Sequence, residues 1–325
     1  MGVQSGEHPL ESVTPRTAGR AVAVGGATLG QRIWRERWMY LFIIPGLLYF
    51  VVFRYLPLLG NIIAFQDFSP FLSFQGSPFV GWANFRRLFT DPDVGLALQN
   101  TLVISILQLV LFFPAPLALA LLLNTMLYDP LKRLMQSILY LPHFISWVII
   151  VALWQQIFGG AGFINQILRD NNLQAINIMA NPGFFKPLII LQLMWKDTGW
   201  GTIIFLAALT KIDTSLYEAA VMDGAGMWRR LWHITLPGIR SVIFLLLILR
   251  LGRILDTGFE QIILQRDAVG AKAAEVLDTF TYYRGIRGGD WGFSAAVGLV
   301  KGLVGAVLVF GSNWLIKHFG EEGAF

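Results

Sequence analysis

Six stretches of about twenty mainly apolar residues run through this chain, at roughly 38–59, 98–124, 137–158, 187–209, 240–264 and 293–316. A helix of about twenty residues crosses the hydrocarbon core of a bilayer. Inside lipid the backbone has no water to bind, so only helices and closed barrels can span. Composition agrees: of 325 residues, 55% are hydrophobic and 14% charged, whereas about a quarter of a soluble domain is charged. A water-soluble globular fold, a coiled coil and a disordered chain are excluded as whole-chain answers. The sequence predicts an all-α polytopic membrane protein with six transmembrane helices. The absence of cysteine removes disulfide frameworks, thiolate metal sites and cysteine nucleophiles. Four His leave little for a histidine-built metal site, and no metal is expected. The net charge of +5 reads as Lys and Arg at helix ends beside anionic lipid, with no nucleic acid implied.

Residues 1–30 are short of large apolar side chains and rich in Gly, Ala, Ser and Thr, so they are expected to form a disordered cytosolic leader. Residues 31–325 then form one transmembrane domain. Arg32, Arg35 and Arg37 lead straight into Trp38–Phe53, which is the pattern of an uncleaved first span rather than a secretory signal. Arg54 and Pro57 interrupt that span, and Pro114 and Pro116 lie in the second. The fourth carries Lys196-Asp197 before Gly199 and Gly201, which predicts a polar, flexible middle; the sixth reads as uninterrupted. Lys and Arg number twelve on the side holding both termini and nine on the other, which places the termini in the cytosol.

The cytosolic loop 210–239 has its own character. Ser215 and Glu218 have the spacing of a capping box that starts a short helix. Gly224 and Gly226 can end it in a sharp turn. A second short helix, Met227–His233, sets Met227, Trp228 and Leu231 opposite Arg229 and Arg230, and Pro237 opens the next span. The reading is two short helices joined at a glycine elbow.

Glu218-Ala219-Ala220, then Gly224, then Ile234-x-Leu236-Pro237 resembles the EAA loop of permease subunits of ABC importers, with all seven fixed positions matched. Pro45-Gly46-Leu47-Leu48-Tyr49-Phe50, Tyr55, Pro57, Gly60, Ala64-Phe65-x-Asp67-Phe68 and Phe79-Val80-Gly81-Trp82-x-Asn84-Phe85 look like the start of the carbohydrate-importer permeases. Val276-Leu277-Asp278-Thr279, Tyr283-Arg284-x-Gly and Ala296-Val297-Gly298-Leu299 look like the branch that handles polysaccharides and large oligosaccharides, the alginate type included. The resemblance covers about residues 37–325. It implies the type I ABC importer permease fold and a bacterial cytoplasmic (inner) membrane location. The implied partners are a second, related permease, two ATPase subunits that carry ATP and Mg, and an external solute-binding protein that delivers an oligo- or polysaccharide. This chain would bind no cofactor and be no enzyme, and it has no Gly-x-x-x-x-Gly-Lys-Ser/Thr phosphate loop. The residues implied in coupling to an ATPase are Glu218, Ala219, Ala220, Asp223, Gly224 and Gly226. Glu218 would offer a carboxylate to a basic partner residue.

Ionisable residues within the spans are the second group of candidates, because charge at membrane depth costs several kcal/mol unless paired or wet. Arg250, Arg253, Asp256 and Glu260 step by three, three and four, which predicts one helix face. That face either neutralises itself, with Arg253 paired to Asp256 or Glu260, or lines the translocation path, where Arg250 would meet an anionic cargo. Lys196 and Asp197 lie between Trp195 and Trp200: flat indoles beside hydrogen-bonding groups can hold a sugar, or the group can be a structural break. Gln192 and Asn313 read as interhelical hydrogen-bonding groups, and His143 as structural. The competing class is an ion-coupled secondary transporter with Asp197, Asp256 and Glu260 as relays. The lack of an internal repeat counts against it.

Overall fold

The computed structural model describes residues 34–318, together with residues 2, 30 and 320. The expected leader, 1–30, lies outside the described residues apart from Gly2 and Gly30. The chain divides into two units, Met1–Gly60 and Asn61–Phe325. In the first, helix α1 (Arg37–Phe50) passes through a wide π-type turn, Val51–Tyr55, into Leu56–Leu59. None of these residues is buried. An apolar helix without a buried face is suited to lipid or to a partner helix.

The second unit is helical throughout, and its only β pairing among the described residues is an isolated bridge, Gln66 to Phe79. The elements that position the site are α2 (Pro92–Leu107), α3 (Pro114–Asn124), α4 (Asp129–Tyr140), α5 (Trp147–Phe158), α6 (Phe185–Leu209), α7 (Thr214–Met222), α8 (Leu236–Gly252), α9 (Phe259–Val269), α10 (Leu277–Thr281) and α11 (Trp291–His318). Prolines explain one recurring detail. A proline removes the N–H that would bind the carbonyl four residues back and crowds that carbonyl. Pro57, Pro114 and Pro237 each open a helix immediately after a π-type turn: Val51–Tyr55, Gln108–Phe112 and Leu231–Thr235. The wider turn absorbs the clash, so helix runs on through Pro92–Asn124 and Met227–Gly252.

Five segments are long and apolar enough to cross a membrane: Arg37–Phe65, Pro92–Asn124, Trp147–Asp170, Met227–Gly252 and Trp291–His318. The remaining expected span, α6, is an unbroken helix of 25 residues, long enough at about 37 Å. It is too polar to rank with the others because it is the interior helix: Phe185, Leu188, Ile189, Gln192, Lys196, Gly199, Thr202 and Phe205 are all buried. Two apolar clusters fix it, and a third packs α2 against α10 and α11. Ile104 on α2 meets Phe185, Ile189 and Ile190 on α6 and Ile262 on α9. Ala120 on α3 meets Phe205 and Leu209 of α6 and Ile239 of α8. Val94 and Ala97 of α2 meet Leu277 and Phe280 of α10 and Phe293 and Val297 of α11. A buried amide cluster completes the tie: Gln192 Oε1 accepts from Gln261 Nε2 and Gln265 Nε2, both at 2.9 Å. Gln192 thus does join helices, as its position in the apolar run implies.

Three expectations are corrected. The middle of α6 is continuous helix, and its glycines serve close packing: a Cβ on Gly199 would lie 2.0 Å from the Leu139 carbonyl oxygen, and one on Gly201 would lie 2.9 Å from the Pro116 ring. The third apolar stretch is not one helix, because α4 ends at Tyr140 and α5 begins at Trp147. Pro142 lies between them and Ile145 is extended. The fifth stretch also breaks: α8 ends at Gly252 and α9 starts after Gly258, whose φ of +99° suits glycine.

The contact at Gly199 makes a packing prediction. Gly199→Ala places a methyl against backbone that cannot move aside, and overpacking of this kind costs about 1–3 kcal/mol. Gly298→Ala, with nothing within 4 Å of its Cβ, should be neutral. Thermal unfolding of the two purified variants should separate them; equal midpoints would show that α4 and α6 are not tightly packed.

Candidate functional site

Asp213 begins α7, its side chain accepting the Ser215 backbone N–H at 2.9 Å. The N-cap is therefore Asp213, and the expected Ser215–Glu218 box is not the start signal. The Ser215 backbone N–H is the main cause that holds the Asp213 carboxyl below its usual range. A folded pKa below the unfolded one means the cap contributes above the unfolded value, about 3.9, and is lost as pH falls through the folded value. At the far end Asp223 caps the helix, Gly224 takes φ +74°, and Ala225 N–H returns to the Ala220 carbonyl at 2.8 Å. That is a glycine-closed helix end. Gly226 has φ −68° and precedes the next helix. The second short helix is corrected too: it is the first turns of one continuous stretch, Met227–Gly252. Tyr217 Oη and Thr235 Oγ1, 3.0 Å apart, brace α7 against that stretch.

This bracing leaves the outer side of α7 free. Glu218 and Ala219 are exposed, and Glu218 has no ion pair among the described residues. Met222 is 86% exposed, with Leu216 and Val221 beside it. A short helix showing apolar side chains and one free carboxylate to water is a surface made to be covered.

The interior charges are placed differently from the sequence reading. Arg250 lies in the last turn of α8, Arg253 and Asp256 lie in the irregular linker, and Glu260 lies in the first turn of α9. They share no helix face, because the helix that would align them stops at Gly252. Arg253 and Glu260 are exposed, and neither forms an ion pair among the described residues. Asp256 pairs with Lys301 of α11 at 2.5 Å, and Lys301 also holds Asp278 at 2.5 Å. The sixth stretch is an unbroken helix, Trp291–His318, that carries one charge, Lys301, within its apolar run. Arg250 donates to Gln108 Oε1, and its Nε has no partner. Gln108 in turn donates to the Thr257 carbonyl at 3.0 Å, and Ser105 Oγ donates to the Ile254 carbonyl. The polar residues of α2 and the turn after it thus serve the break in the fifth stretch.

Lys196 serves the other break. Its Nζ donates to the carbonyls of Pro142 (3.5 Å), His143 (2.8 Å) and Ile145 (2.5 Å). Asp197 Oδ1 lies 2.8 Å from His143 Nδ1, and the His143 ring stacks on Trp200 with centroids 4.4 Å apart. His143 is structural, as expected, but it also joins the candidate group. Trp195 and Trp200 stay 43% and 44% exposed, and Phe144 stays 71% exposed. Among the described residues no group of three His, Asp or Glu could hold a metal.

Residues 112–321 match the family of binding-protein-dependent transport system inner membrane components. The chain belongs to this family. Over 295 residues the permease is 47% identical to the polygalacturonan/rhamnogalacturonan transport system permease protein YteP of Bacillus subtilis, covering 90% of this chain and 92% of that one. It is 46% identical to Protein LplB of the same organism over 95% of this chain and 96% of that one. It also superposes on a chain of a bacterial ABC transporter for the acidic polysaccharide alginate, with TM-score 0.83 and 33% identity, covering 91% of this chain and all of that one. The same values hold for that transporter in complex with an alginate pentasaccharide-bound periplasmic protein. The permease is thus a non-catalytic membrane component of an ABC importer, and the ion-coupled carrier is set aside.

Gly224 is the strained position on which α7's end depends. An L residue there costs about 1–2 kcal/mol, with Asn tolerated best. Gly224→Val should lower ATPase stimulation by loaded binding protein in the reconstituted importer more than Gly224→Asn does, with both inserted in the membrane. Equal activities would show that this turn does not set the position of α7.

Proposed function

We propose that this permease passes an acidic, polysaccharide-derived oligosaccharide into the cell. A solute-binding protein delivers the sugar outside, a second, related permease completes the path, and two ATPase subunits carry ATP and Mg, one of them docking on α7 from the cytosol. The observation that carries the cargo class is that relatives at 47% and 33% identity are named for polygalacturonan and for alginate. Both are polyuronates. The docking role of Glu218, Ala219, Ala220, Asp223, Gly224 and Gly226 is supported by the exposed, unpaired carboxylate on α7 and by the closed turn that aims it.

The path runs past the two helix breaks. Non-helical backbone at membrane depth is tolerated only where it is buried in protein or lines a cavity. At the first break Trp195 and Trp200 offer ring faces beside Asp197, while Lys196 keeps the backbone in place. At the second, Arg250 has an unpaired Nε and Arg253 is free to meet a carboxylate, while Asp256 and Glu260 set the local balance. Both termini and α7 lie in the cytosol, following the Lys and Arg bias.

In proteoliposomes holding the whole importer, Arg250→Gln should raise KM for an oligogalacturonate about tenfold or more, the worth of a hydrogen bond to a charged group. A neutral oligosaccharide of equal length should be less affected. Equal loss for both would return Arg250 to a structural role, and no uptake of either by the unaltered importer would refute the cargo class. Orientation is tested separately. In sealed, right-side-out vesicles an impermeant thiol reagent should label Asn172→Cys and spare Arg229→Cys, and the reverse pattern would invert the topology.

A further inference from the structure

The helical stretch that starts at Met227 has two unlike faces in its first turns. Met227, Trp228 and Trp232 are exposed, at 61%, 69% and 63%. Trp228 and Trp232 are four residues apart and so lie on one side. Arg229 and His233, also four apart, lie on the neighbouring side, with His233 Nδ1 held to the Arg229 carbonyl at 2.9 Å. Beside them a notch of about 330 Å³ opens between α7 and this stretch, lined by Ala220, Asp223, Ala225, Arg229, Arg230, His233 and Ile234. Arg229 and Arg230 form no ion pair among the described residues. Asp223 is the one carboxylate in the lining, against two guanidinium groups.

These features fit together at one depth. Tryptophan collects at the membrane–water boundary, where its ring lies among headgroups. The Trp pair stands at the start of a 26-residue helix long and apolar enough to cross a membrane, which sets the notch at headgroup level. Basic pockets at that level on the cytoplasmic side bind anionic lipid headgroups. We propose that the notch between α7 and the Met227 turn holds the phosphate of an anionic phospholipid, with Arg229 and Arg230 as its ligands and Trp228 and Trp232 against its glycerol and upper acyl chains. The lipid then touches Ala220 and Asp223 of α7 itself, so the position of α7 depends on the lipid around it. This rests on the reading that the loop faces the cytosol, and the test is made in detergent so that it does not depend on orientation.

The importer, purified with its ATPase subunits, is titrated with phosphatidylglycerol or phosphatidylcholine of the same acyl chains and followed by native mass spectrometry. Each arginine near the surface contributes about fivefold in affinity, so Arg229→Gln with Arg230→Gln should weaken phosphatidylglycerol about 30-fold. Phosphatidylcholine binding should be unchanged. Arg229→Lys with Arg230→Lys should keep most of the affinity, which separates charge from folding. Equal phosphatidylglycerol binding by the Gln variant and the unaltered protein would overturn the proposal. So would displacement of the lipid by inorganic phosphate, which would assign the notch to a soluble anion. Loss of the ATPase subunits from the Gln variant with lipid affinity intact would assign the arginines to that protein interface instead.

Discussion

Every backbone N–H and C=O inside a bilayer must find its partner within the protein, and the arrangement of this permease follows from how its interruptions meet that demand. Where α4 gives way to α5, the freed carbonyls of Pro142, His143 and Ile145 converge on one ammonium, Lys196. Lysine suits the task because its three donors radiate from one atom. Where α8 gives way to α9, the Ile254 and Thr257 carbonyls are met by Ser105 and Gln108. Where Pro57, Pro114 and Pro237 enter, π-type turns precede them. Residues that look out of place in apolar runs are the ones that let those runs bend.

That same logic governs what could be read from the sequence. The all-helical membrane fold and the first, second and sixth spans followed from apolar length alone, the third and fifth came out displaced to Trp147–Asp170 and Met227–Gly252, and the spacing of Glu218, Gly224 and Pro237 marked the family. The helix breaks did not. Periodicity placed Arg250, Arg253, Asp256 and Glu260 on one face because it assumes an uninterrupted helix, and nothing local announces that Gly252 ends one and Gly258 starts another. Likewise Lys196-Asp197 beside two glycines reads as a flexible segment, whereas the glycines are there so that α6 can touch Leu139 and Pro116. The partners of Lys301, Gln108 and Lys196 lie 23 to 149 residues away, and spacing arguments reach only within one element.

The cost of charge in a low-dielectric interior also sorts the candidate residues by role. Lys196 is buried and fully engaged with backbone, and Lys301 is shared by two carboxylates. A charge satisfied by the fold has little left to offer a passing ligand. Arg250 differs, since Gln108 is a neutral partner and Nε has none. Arg253 and Trp200 differ too, because they remain open at the breaks. The residues able to meet cargo are those the structure leaves incompletely used.

The segment that carries α7 stands between two rods of unequal freedom. On one side α6 is continuous from Phe185 to Leu209, and its centre grips the break at residues 141–146 through Lys196. On the other, Met227–Gly252 is continuous and ends at the break at residues 253–258. Helices transmit displacement along their axes far better than irregular chain does, because packed cores move as discrete units rather than by continuous deformation. A push on α7, braced to the second rod through Tyr217 and Thr235, therefore has rigid helix on both sides, with irregular backbone at the far end of one and held against the midpoint of the other. The places where the backbone can change are the places where the candidate pathway groups stand, so the division of this chain into rods and breaks joins the exposed surface of α7 to the membrane interior.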